Sequence, residues 1–175
     1  MRREFELITS VPVPARSGIT HLYKTMNLAD AFAIRLPAGT SSNPDLLARF
    51  ILSHQPSWIG GLMKVRDTIV ACFGLKTAKQ LATLANRVGI FKVYSTNPTE
   101  IVLGEDDKHL DFRISILCAE EAEPEGSRQL VFSTVVQCHN RLGRAYILMI
   151  APFHRLVVKA SLLRAARVGW PLAGG

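Results

Sequence analysis

From Leu110 to Cys118 the chain alternates without a break. Leu110, Phe112, Ile114, Ile116 and Cys118 fall on one parity, and Asp111, Arg113, Ser115 and Leu117 on the other. Successive side chains of a β-strand point to opposite faces, so this segment reads as a strand with one apolar and one largely polar face. A half-buried strand of this kind belongs to an antiparallel sheet covered on one side. The rest of the chain has to supply its neighbours and its cover.

Strands flank it on both sides. Phe91 to Ser95 and Glu100 to Leu103 are joined by an Asn97-Pro98 turn, and Gly104 to Lys108 forms a polar turn into the alternating strand. An acidic loop, Glu120 to Gly126, leads to Leu130–Cys138, rich in valine and threonine. Asn140-Arg141-Leu142-Gly143 reads as a hairpin connection into a further strand, Ala145 to Ile150. Ahead of this run, Ala31 to Leu36 forms a first strand that Pro37 and Gly39 stop.

Two short helices follow the first strand. Asn43 is placed to cap, and Pro44 supplies first-turn geometry for a helix to about Ser53. A second begins at Pro56, carries Ile59, Leu62, Met63, Ile69, Val70 and Phe73 at helical spacing, and ends at Gly74. Residues 77–88 can hold another turn. At the carboxy end Pro152 is read as starting a helix of about four turns, with Phe153, Leu156, Val157, Ala160 and Leu163 as its buried stripe and Arg155, Lys159, Arg164 and Arg167 opposite.

The expected architecture is therefore α+β: an antiparallel β-sheet with a long C-terminal α-helix on one face and two short helices after the first strand, a pocket remaining if the curved sheet wraps around that helix. The divisions are an extended arm over 1–27, a domain over 28–168 and a flexible tail over 169–175. The 175 residues fit one domain that needs no staple. Cys72, Cys118 and Cys138 imply neither a disulfide framework nor a metal site.

Composition narrows the function classes. Hydrophobic residues make up 48% and mean hydropathy is +0.18, so surplus apolar surface goes into a core, a lined cavity or a partner. The longest apolar stretch, Ala145 to Phe153, contains a proline and falls short of the roughly 20 residues of a spanning helix. No transmembrane segment is expected, and the amino terminus lacks the uncharged apolar run of a signal peptide, which reads as cytoplasmic. The net charge is +7, with seven bases and no acid in residues 126–175, yet only 7% of residues are aromatic and no basic cluster interleaves with them. Nucleic acid is accordingly not the favoured partner.

Several segments resemble a known family. They are Gly89-Ile90-Phe91, residues 102–113 (VLGEDDKHLDFR), Ser133-Thr134-Val135-Val136, residues 139–146 (HNRLGRAY) and residues 150–158 (IAPFHRLVV). Together they are similar to the uncharacterised bacterial family called domain of unknown function 2867, over roughly residues 28–166. That family is similar in turn to the START and birch-pollen-allergen (SRPBCC) superfamily, whose helix-grip fold binds lipids, sterols and polyketides. The resemblance implies a binder of small apolar molecules and brings no catalytic residues with it.

The function expected is binding or carrying a small, lipid-like or polyketide-like molecule between sheet and C-terminal helix, with no cofactor and no metal. Trp58, Tyr94, Phe112, Phe132 and Tyr146 are the candidate lining, because rings give apolar contact while hydroxyl or indole groups orient a ligand. His109, His139 and His154 are candidate polar anchors. His109, Asp111, Arg113 and Ser115 share one strand face; a solvent-facing row is the expectation, and a reactive row would require that face to be the concave one. Two alternatives stand beside the carrier: an enzyme of cyclase or hydratase type acting on an apolar substrate, and an interaction module that uses its basic surface. No nucleophile elbow, metal cluster or phosphate loop occurs. Oligomeric state is not legible.

Overall fold

The computed structural model describes residues 7–62, 64, 86–120 and 128–174. Seven strands form one antiparallel sheet: β1 (Ile8–Val11), β2 (Leu28–Leu36), β3 (Arg87–Val88), β4 (Phe91–Thr96), β5 (Glu100–Asp106), β6 (Leu110–Glu120) and β7 (Arg128–Cys138). Their order across the sheet is β1-β2-β7-β6-β5-β4-β3. Strands β3 to β7 make a meander, and β2 closes on its far side by pairing with β7, Phe32 opposite Phe132. The helices described in full include α1 (Pro44–Ser53) and α2 (Arg141–Val168).

Local chemistry fixes several of these elements as the sequence suggests. The Asn43 side chain accepts bonds from the amides of Asp45 and Leu46, which caps α1 with Pro44 in its first turn. At the β4–β5 turn, Asn97 Oδ1 accepts from the Thr99 and Glu100 amides at 2.9 and 2.8 Å. Strand β6 keeps its alternation: Ile114, Ile116 and Cys118 enter the core shared with Val158, Leu162 and Ala165 of α2. Residues 57–62 are helical, as expected for the second short helix. Its expected continuation to Gly74, and the possible turn over 77–85, lie outside the described residues, while Arg87–Val88 is a strand.

The last helix differs from expectation. Ala145–Ile150 is not a strand, and Pro152 does not start a helix: α2 begins at Arg141, capped by Asn140, whose Oδ1 accepts the Gly143 amide at 3.0 Å, and runs through Pro152. A short apolar run does not distinguish a strand from a buried helix, and proline in a helix interior is costly enough to suggest a boundary. Gly143 serves close approach rather than a hairpin, since a Cβ there would overlap the His109 carbonyl oxygen. The inward line of α2 also shifts. Gly143, Ile147, Val158, Ser161, Leu162, Leu163 and Ala165 are buried, whereas Phe153 and Leu156 of the expected stripe are exposed. By length and composition alone α2 is long and apolar enough to cross a membrane, a test that the core helix of a folded domain also passes.

The described segments nearest the two ends pack on the rest of the domain. Residues 8–11, expected as part of an irregular arm, are an edge strand on β2. The tail expected to be flexible docks instead: Trp170 is buried in the main core, and the Ser41 and Ala173 amides bond the carbonyls of Pro171 and Gly39, each at 2.8 Å.

Candidate functional site

The register separates two faces. Phe32 opposite Phe132, and Phe132 opposite Ile116, place the even residues of β2, β6 and β7 toward α2 and the odd ones away from it. His109, Asp111, Arg113 and Ser115 therefore belong to the side away from the helix. They do not form a solvated row, because Arg113 and Ser115 are buried under residues 13–26, which also bring Ile19 onto Val102 and Val135.

That outer face holds a closed polar network. Arg113 ion-pairs with Asp106 at 2.7 Å, donates to the Phe112 carbonyl at 2.8 Å and lies over the Tyr94 ring, 3.6 Å from its centroid. Tyr94 donates its hydroxyl to the same Asp106 at 2.8 Å. Burial works against the Asp106 carboxylate, but bonds from Arg113 and Tyr94 hold its pKa below the usual value. Burial, then the bond to Asp106, pushes the Tyr94 phenol up. Nearby, the buried Glu100 carboxylate accepts from Ser17 Oγ at 2.6 Å, Ser115 Oγ at 2.5 Å and the Gly18 amide at 3.0 Å. Every donor in that set belongs to the arm or the sheet it covers, so the cluster is a clasp.

The face toward α2 has a different character. Phe32, Phe132, Ile114 and Ile116 line it, and Phe91 meets Phe112 edge to face with centroids 5.8 Å apart. Into this wall come a few polar groups. Asp30 of β2 sits directly opposite Thr134 of β7. From α2, His154 Nε2 lies 3.4 Å from Asp30 Oδ1, and Arg155 Nε 3.3 Å from Asp30 Oδ2. The Thr134 hydroxyl, Ser161 hydroxyl and His154 Nε2 are buried and make no hydrogen bond among the described residues. Further along, Arg87 pairs with Glu105 at 2.9 Å, with Arg87 Nε likewise buried and unbonded. Unsatisfied buried donors and acceptors cost free energy, and they occur on both faces, since Ser133 Oγ and the Tyr23 hydroxyl on the outer face also make no hydrogen bond among the described residues.

The sequence-derived residues distribute unevenly over this arrangement. Phe112 and Phe132 lie on the helix side, Tyr94 in the outer network. Tyr146 packs beside Leu28, Leu110, Val136 and Ile147 near the start of α2, and Trp58 is exposed in the helical residues 57–62. His109 meets Asn140 at 2.8 Å, and His139 pairs with Asp111 at 3.1 Å, both where the sheet passes into α2. Of the three histidines, His154 approaches Asp30 on the helix side. Asp30 and Thr134 are not singled out as site residues by the sequence, whereas the neighbouring His154 and Arg155 are. Asp30 breaks an otherwise apolar strand, LADAFAIRL, and that interruption is the signal that could have found it. Among the described residues no group of His, Cys, Asp and Glu has the arrangement of a metal site.

One long helix laid on a seven-stranded antiparallel sheet defines an α+β protein of helix-grip type. The chain belongs to the family described as protein of unknown function, DUF2867, whose model matches residues 22–161. No curated protein and no solved structure matches it.

Proposed function

We propose that the chain binds or carries a small, largely apolar molecule between the sheet and α2. One observation supports this above the others: an apolar wall interrupted by buried polar atoms that make no hydrogen bond among the described residues, Thr134 Oγ1 and Ser161 Oγ foremost. A lipid-like or polyketide-like ligand carries few polar groups on a large apolar body, and such atoms would orient it. The resemblance to the START-like superfamily agrees with this reading. Native mass spectrometry of gently purified protein tests it: a discrete adduct that organic extraction removes is expected. Bare protein in repeated preparations, together with no binding of the neutral probe N-phenyl-1-naphthylamine, contradicts it.

A second reading, an acid–base role at the same place, is favoured by the approach of His154 to Asp30. The molecule extracted from a His154→Gln variant then differs from that of the wild type in mass, for a hydratase, or in chromatographic retention at equal mass, for a cyclase, because substrate accumulates in place of product. Identical molecules leave the binding role alone.

A further inference from the structure

The first half of α2 is apolar on the side that faces away from the sheet as well as on the side that packs. Its exposed residues between 141 and 156 are Arg141, Arg144, Ala145, Leu148, Met149, Pro152, Phe153, Arg155 and Leu156. Leu148 is 79% exposed, and Met149, Phe153 and Leu156 are close to half exposed. Positions 148, 149, 153 and 156 fall on one side of a helix and extend over about 12 Å of its axis. The solvent face of a packed helix is ordinarily polar, so this one is built to meet something other than water.

The charges beside it narrow the choice of occupant. The exposed set carries no acid and three arginines, of which Arg155 is engaged with Asp30 and Arg141 and Arg144 face outward, and α2 contains no acidic residue along its whole length. A second copy docking the same face two-fold would bring arginine against arginine with no carboxylate on either helix to offset it. Leucine, methionine and phenylalanine without polar hydrogen-bonding groups are equally unsuited to a nucleic-acid backbone. An anionic lipid surface satisfies both halves: hydrocarbon for the apolar side chains, and headgroup phosphates for guanidinium groups that reach out of the apolar layer. We infer that the exposed face of α2, centred on Leu148 and Phe153 and flanked by Arg141 and Arg144, docks onto anionic membranes. This holds whether or not a ligand occupies the space on the other side of the helix.

Flotation of the full chain with vesicles tests the inference. One set is phosphatidylcholine alone and the other equal parts phosphatidylcholine and phosphatidylglycerol. The chain should rise with the anionic vesicles, in a salt-sensitive manner, and bind the neutral ones roughly twenty-five-fold more weakly, about fivefold for each of Arg141 and Arg144. The double variant Leu148→Ser, Phe153→Ser should lose binding, and Arg141→Gln, Arg144→Gln should weaken it while leaving the apolar face intact. Both alter exposed side chains, and circular dichroism verifies that each is folded. A chain that stays in solution with both vesicle types overturns the inference, as does a serine variant that binds like the wild type. Self-association abolished by the serine variant, without vesicle binding, also overturns it and gives the face to a second copy.

Discussion

Tyr23 carries a half-buried ring whose hydroxyl has no partner among the described residues. Burial first, opposed by Arg113 and reinforced by Asp111 and Asp106, raises its pKa from 10.0 to about 12. Folded protein thus holds this proton more tightly than unfolded protein, so the contribution is fully present below pH 10 and is lost as pH rises toward 12. Tyr23→Phe should flatten stability across that alkaline window, measured by urea denaturation at a series of pH values, and change it by less than about 1 kcal/mol at neutral pH. Thr134 offers the complementary test on the helix side. Thr134→Val removes a buried hydroxyl that makes no hydrogen bond among the described residues, and should raise stability by about 1 kcal/mol while weakening retention of the proposed ligand. A variant that loses stability shows that the hydroxyl has a structural partner. Residues of this kind are poorly legible in sequence, because a threonine in a valine-rich strand looks like any β-former until its neighbours are known.

At the scale of elements, reading was good where local chemistry decides and poor where tertiary packing does. Asn43-Pro44 announces α1, and the parity of β6 announces its two faces, because a cap and a period of two are local properties. Strand β1 was missed, since four residues containing no strong pattern become a strand only by pairing with β2. Helix α2 begins at Arg141, eleven residues before the Pro152 that resembles a beginning, and nothing local says that a helix will tolerate that proline. Within α2, Pro152 has no amide to offer the Leu148 carbonyl one turn back. Pro152→Ala should restore that bond and raise the free energy of unfolding by about 2 kcal/mol, after allowing for the more flexible unfolded chain. An unchanged denaturation midpoint would mean that the helix has already adapted its geometry around the proline.

Across the whole molecule, the long helix on one face is matched by the amino-terminal arm on the other. The arm's contribution was invisible in sequence: the polar parity of β6 implied water, whereas Ser17, Gly18 and Ile19 cover it and Glu100 fastens them. Glu100→Ala removes that acceptor from Ser17, Gly18 and Ser115 together, and should cost about 3 kcal/mol and open Arg16 to trypsin before the rest of the fold is cut. Uniform resistance in the variant would place the arm's attachment elsewhere. The ligand site proposed above lies on the face toward α2, where the Thr134 and Ser161 hydroxyls make no hydrogen bond among the described residues. The most direct test is a methyl NMR titration of the folded chain with N-phenyl-1-naphthylamine. Shifts should concentrate on the methyls of Ile114, Thr134 and Val136, which face α2, and spare Val102, Val131 and Val135 beneath the arm. Shifts confined to the outer-face methyls, or none at saturation, would contradict a ligand site between the sheet and the helix.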